Sequence, residues 1–154
     1  MFVAKEFEAA NANYASSFTK GDLQLPPQRK DPARALGLEE GDAHVIRNAG
    51  GRASDALRSI IISQQLLGTR EIVIVHHTDC GMLTFPDDAI RGKIREELGQ
   101  NGDHIALLPF GDLRQSVLDD VKLLRDSPLV LVVPITGYLY EVETGRIAMI
   151  GDDQ

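Results

Sequence analysis

Four consecutive β-branched residues, Ile72-Val73-Ile74-Val75, run without interruption into His76-His77-Thr78-Asp79-Cys80. Branching at Cβ stiffens χ1 and suits these side chains to a pleated surface rather than to a helix. With no polar residue alternating among them, both faces of the strand must be covered, the condition of a parallel strand in a layered α/β fold. The run therefore predicts a buried strand that delivers polar side chains at its carboxyl end. His77 and Cys80 stand there in an H-x-x-C arrangement, and imidazole with thiolate is a donor pair that zinc favours. Asp79 and Gly81 line the same loop.

Cys80 is the only cysteine. No intrachain disulfide can form, so the thiol is a packed side chain, a reactive group, a metal ligand or an intermolecular link. The 154 residues suffice for one hydrophobic core and not for two ordinary ones. We expect a single domain over 1–154, with an amino-terminal helix in 1–19 and a linker over 20–30. Sixteen basic residues against 23 acidic ones give a net charge of −7, with no Lys/Arg stripe to offset it locally. That balance disfavours a nucleic-acid partner. The longest clean apolar run, Leu129 to Val133, falls far short of a membrane span, and Met1-Phe-Val-Ala-Lys-Glu6 lacks the basic start and apolar core of a signal peptide. The expectation is no membrane partner and a cytoplasmic location.

Taken in order, Phe2, Val3, Phe7, Ala10, Tyr14 and Phe18 form a loose helical stripe over residues 2–19. Its polar remainder suggests a helix lying across a surface, such as that of a partner subunit. Leu25-Pro26-Pro27 marks the extended linker. Asp31-Pro32 is an N-cap followed by a first-position proline, opening a short helix to Leu36 that Gly37 can end. A short strand is expected at Val45-Ile46, then a bend at Ala49-Gly50-Gly51. Ala56, Leu57, Ile60, Ile61, Leu66 and Leu67 recur at helical spacing from Ser54, a candidate N-cap, to Gly68, a candidate C′ residue. Residues 43–77 thus suggest a strand, helix, strand crossover. Helices over Asp87–Leu98 and Asp112–Arg125, a strand over Leu129–Val133, and a terminal β-hairpin joining Gly137–Glu143 to Arg146–Ile150 complete the α/β pattern. Asp87-Asp88 most simply caps a helix.

The Ala49–Gly51 bend lacks the surrounding pattern of a phosphate loop, and a tight turn beside a pocket accounts for it, with Asn48 and Gly50 as candidate pocket residues. Arg47 and Arg52 could attract an anion or form salt bridges. His76 fits a packed or hydrogen-bonded neighbour, and His44 and His104 fit surface or core positions.

Arg47-Asn-Ala-Gly-Gly51, Leu66-Leu-Gly-Thr69, His76-His-Thr-Asp-Cys-Gly-Met-Leu-Thr-Phe85, the Leu-Pro-Pro linker and Asp31-Pro-Ala-Arg-Ala-Leu-Gly37 together resemble the β-class carbonic anhydrases, especially the short bacterial type. The likeness covers nearly the whole chain. It implies a mostly parallel sheet flanked by helices, a homodimer or higher homo-oligomer, and zinc-dependent hydration of carbon dioxide to bicarbonate. In that chemistry the metal lowers the pKa of a bound water that then attacks the substrate. His77 and Cys80 match two of the family's protein zinc ligands. The family's third ligand belongs to a Cys-x-Asp-x-Arg strand just before the segment matching Asp31-Pro-Ala-Arg34, and here Arg29-Lys30 passes directly into Asp31. A core strand is therefore expected to be missing or replaced. Water, Asp79, Asp31, His44 or His76 are candidates to complete the site. Three readings follow: a zinc lyase of weak activity, a catalytically inactive scaffold for binding or assembly, and a hydrolase of carbon disulfide or carbonyl sulfide.

Overall fold

The computed structural model describes residues 3–21 and 32–151. The elements are α1 (Val3–Ser16), α2 (Pro32–Leu36), α3 (Ala53–Ile62), β1 (Ile72–His77), α4 (Asp87–Leu98), α5 (Leu113–Asp126), β2 (Ile135–Tyr140) and β3 (Ile147–Ile150). The linker expected over 20–30 and the Asp31 cap lie outside the described residues, apart from Lys20 and Gly21.

The β-branched run forms β1 as expected. Its partner is β2, parallel from Ile72↔Ile135 to His77↔Tyr140, and β2 then pairs antiparallel with β3 from Gly137↔Ile150 to Tyr140↔Ile147. The described sheet is mixed, in the order β1-β2-β3, with one parallel pair where a mostly parallel sheet was expected. The terminal hairpin forms, and its first strand is also the central strand. Thr78 lengthens the parallel pair: its N–H donates to the Tyr140 carbonyl at 2.9 Å and its hydroxyl accepts from Val142 N–H at 3.0 Å.

Two expected strands do not form. Residues 43–48 carry no regular secondary structure and join no ladder, which leaves the edge of β1 away from β2 without a described partner. The crossover to a parallel partner instead runs forward from β1, through α4 and α5, to β2. Leu129 to Val133, between Pro128 and Pro134, is irregular, opening with a turn in which the Val130 N–H donates to the Ser127 carbonyl. Both edges of β2 are already occupied, the run pairs with neither outer edge of the described sheet, and only Val130 within it is buried.

The two faces of the sheet alternate as the strand period requires. Ile74, Ile135 and Ile150 pack with Val117, Val121 and Leu124 of α5 and with Ala53, Ala56 and Ile60 of α3. On the other face Val75, Tyr140, Val142 and Ile147 meet Tyr14 and Ala35. Helix α1 lies on its own chain: Asn11 is buried, donating through Nδ2 to the carbonyls of Ala35 (3.0 Å) and Gly145 (2.8 Å) and accepting from Ile147 N–H (2.8 Å).

Helix ends follow local chemistry. Gly68 and Gly99 adopt φ of 72° and 63° and close their helices in the left-handed region. Helix α3 passes at Ser63–Leu67 into a π turn before Gly68. Its amino terminus departs from expectation: the Ser54 hydroxyl makes no hydrogen bond, and the Ala53 N–H is instead taken by Asp120 Oδ2 from α5 at 3.0 Å. Asp112 caps α5, its Oδ1 accepting from Gln115 N–H at 2.7 Å.

Candidate functional site

Strand β1 brings His76 and His77 to its carboxyl end with opposite orientations, and the two histidines meet different chemistry. His77 Nδ1 lies 2.8 Å from the Thr78 carbonyl. A carbonyl only accepts, so Nδ1 bears a proton, and in the neutral ring it is then Nε2 that carries the lone pair a metal requires. The following loop turns at Asp79, whose φ of 54° is left-handed, a conformation Asp tolerates better than most residues. Cys80 follows as a buried free thiol, and Leu83 N–H donates to its carbonyl at 3.0 Å.

His76 is nearly fully buried and is no metal donor in this arrangement. Its Nδ1 lies 2.7 Å from the Ser116 hydroxyl, and its Nε2 lies 3.2 Å from both the Gly51 carbonyl and Asp120 Oδ2. The last two groups only accept, so Nε2 carries a proton. Asp120, with a relative exposure of 0%, also approaches Arg52 Nη2 through Oδ1 at 3.1 Å, an ion pair without hydrogen-bond alignment. Phe110 covers the group, stacked on the His76 ring at 5.6 Å and lying 5.5 Å from the Arg52 guanidinium carbon.

Gly50 and Gly51 allow this closure. Both have positive φ, 75° and 67°, and both are tightly enclosed. A Cβ on Gly50 would lie 3.0 Å from Met82 Cγ and from Phe110 Cε1, and one on Gly51 would lie 3.0 Å from His76 Cδ2. Asn48 fastens the turn by donating from Nδ2 to the Arg52 carbonyl at 2.9 Å. The structure thus brings Asn48 and Gly50 to the same strand end as Cys80 and Gly81. His44 and His104 are exposed.

The buried Arg52–Asp120–His76–Ser116 group is absent from the sequence reading. One signal pointed to it: Asp120 interrupts the apolar stripe of Val117, Val121 and Leu124 on one helix face, and a carboxylate there needs a buried partner. The partners lie 40 or more residues away in sequence, which local spacing cannot supply.

All four histidines and the cysteine are described residues, and no three or more His, Cys, Asp or Glu side chains among the described residues group to hold a metal. Catalytic zinc takes three protein ligands and structural zinc four. The donors among the described residues therefore form no group of the size that a resident zinc ion requires.

A scan against protein-family models finds no match. The β-carbonic anhydrase 1 of Mycobacterium tuberculosis is 40% identical over 160 residues, covering 96% of this chain and 97% of that protein. A carbon disulfide hydrolase of Acidithiobacillus thiooxidans is 36% identical over 146 residues, covering 82% of this chain and 71% of that one. Among solved structures, a carbonic anhydrase from Glaciozyma antarctica superposes with a TM-score of 0.75 at 47% identity, covering 98% of this chain and all of that one. One from Streptococcus mutans gives 0.76 at 38%, covering 98% and 99%. Near-full-length identity and a shared fold agree with the loop that ends β1: the chain belongs to the β-carbonic anhydrase family.

Proposed function

We propose that this protein addresses the family's substrate class, carbon dioxide and bicarbonate, through a degenerate site in which His77 and Cys80 are the only zinc donors. Zinc content is then well below one per chain, and hydration is weak or absent. The observation that carries this reading is the donor count: one cysteine in the chain and no three-donor group among the described residues. Two ligands give a less defined and weaker site than three. Two residues beyond Cys80, Met82 closes on Gly50 together with Phe110, an apolar surface that suits a small linear substrate without charge.

Elemental analysis of purified protein, paired with stopped-flow hydration of carbon dioxide, tests the reading. Stoichiometric zinc with rapid hydration would overturn it and require a further ligand. Cys80→Ser should remove whatever zinc remains; unchanged zinc would show that the donors lie elsewhere. The relatives named as carbon disulfide hydrolases favour a second reading, in which the same loop serves carbon disulfide, and sulfide release measured on the same preparation separates the two substrates.

We also propose a homodimer or higher homo-oligomer. Leu66, Leu67, Leu129 and Val132 are all exposed, and Gln64 Oε1, accepting from Leu131 N–H at 2.9 Å, holds their two segments together. Clustered exposed leucines and valine favour association over solvation. Light scattering should give a mass above that of one chain, with Val132→Lys reducing it; a wild-type monomer would refute the assembly.

A further inference from the structure

We propose that Asp120 is a positioning residue for the loop that carries Cys80, acting through His76, Arg52 and Phe110. The inference deepens the reading of His77 and Cys80 as a half-site and depends on it only for purpose, because the device itself is visible without metal.

Three links connect Asp120 to the thiol. Asp120 receives the Ala53 N–H and faces both Arg52 and His76, so one carboxylate engages α3, the Gly50–Gly51 turn and the end of β1. Arg52 and His76 in turn both approach Phe110, the guanidinium carbon 5.5 Å from the ring centroid and the imidazole stacked with centroids 5.6 Å apart. Phe110 N–H then donates to the Met82 carbonyl at 3.2 Å, while Met82 Cγ closes against Gly50. Met82 stands two residues beyond Cys80, in the turn whose Leu83 N–H takes the Cys80 carbonyl. Displacing the carboxylate releases each link in sequence, and the loop over the thiol loses its seat.

The cost of the arrangement supports a positioning role. A fully buried carboxylate facing a guanidinium is commonly no more stabilising than well-packed apolar side chains of the same volume. Apolar residues in place of Asp120 and Arg52 would fill the layer between α3 and α5, where Val117, Val121 and Ala56 already pack. They could not orient the His76 ring or cap Ala53. What the charged pair adds is a defined geometry at the end of β1.

The test is the rate at which iodoacetamide alkylates Cys80 in the intact protein, without denaturant and with a chelator present, followed by mass spectrometry. The thiol is buried, so it reacts only when the loop opens or the whole chain unfolds. Asp120→Ala should accelerate labelling by about tenfold or more, and Phe110→Ala should do the same, since it removes a later link of the same chain. Leu124→Ala is the control for global destabilisation, because Leu124 is buried on the same helix and belongs to none of the three links. Its labelling should change by less than about twofold while its urea midpoint falls. Asp120→Asn keeps an oxygen for Ala53 and loses the charge, so its rate should fall between wild type and Asp120→Ala; it also serves if the alanine variant does not fold. Wild-type rates in the Asp120 variants would overturn the proposal, as would Leu124→Ala labelling as fast as they do. Neither result bears on zinc content, so the half-site reading stands or falls separately.

Discussion

Replacing Gly137 with Ala tests the packing that brings α5 to the site. Gly137 lies in the central strand β2, facing α5, and no left-handed backbone demands a glycine there. Space does: a Cβ would sit 2.4 Å from Val117 Cγ1 and 3.2 Å from Val121 Cγ2. Ordinary carbon contacts lie near 3.5–4.0 Å, so the Val117 methyl must retreat by about 1 Å. Val117 is 0% exposed and Val121 4%, so the methyl has no route into solvent and must press on its buried neighbours. Overpacking of this kind costs about 1–3 kcal/mol, and the smaller conformational freedom of Ala in the unfolded chain returns about 0.4–1 kcal/mol. The net expectation is a loss of about 1–2 kcal/mol, read as a lower urea midpoint with an unchanged slope. Val117→Ala alone removes two buried methyl groups and should cost about 2–3 kcal/mol. Together the substitutions exchange volume across one contact, so the double variant should be more stable than the sum of the singles by at least about 1 kcal/mol. A neutral Gly137→Ala, or strict additivity, would refute the close approach of α5 to the sheet and with it the reach of Ser116 and Asp120 to His76.

Asn11→Ala should cost about 2–4 kcal/mol, since it strips partners from three backbone groups of α2 and the hairpin; limited proteolysis should then cut α1 first, and equal resistance would count against its docking. Burial, with Glu8 beside it, pushes the Tyr138 phenol from 10.0 up to about 12, and burial with Tyr14 nearby raises Tyr140 further. Because the folded chain holds these protons more tightly than the unfolded one, the stability they contribute is complete below pH 10; the Tyr138 share is lost as the pH rises through about 12, and the Tyr140 share is lost higher still. A tyrosinate absorbance titration of the native protein should show both ionising late; ordinary phenol titration of both would contradict their burial. Asp112→Ala should cost about 1 kcal/mol through loss of the α5 cap, measured by urea unfolding, with no change if the cap is not formed.

Local chemistry made the helices and the hairpin legible. Proline and glycine punctuation, an Asp cap and helical spacing of apolar residues placed α2, α4 and α5 within a residue or so of where they form. The β-branched run identified β1 and its polar end, because alternation and branching act within a few residues. The same rule failed at Leu129–Val133 and at Val45-Ile46, since an apolar run becomes a strand only where its backbone lies alongside an edge in pairing register. Where the backbone lies is set by the packing of the whole chain.

By itself, then, the amino-acid sequence determined the class of fold, the helix boundaries, and a His77–Cys80 loop at a strand end with no second cysteine to join it. Tertiary structure alone decided that β2 is shared between the parallel pair and the hairpin. It also decided that Gly137 admits α5 close to the sheet, and that Asp120 reaches Ala53 across 67 residues of chain and meets Arg52 and His76 at the same point. The physical reason is the range of the forces involved. Caps, turns and β-branching are settled by neighbours in sequence, whereas a buried carboxylate is stable only where the whole packed layer supplies its partners.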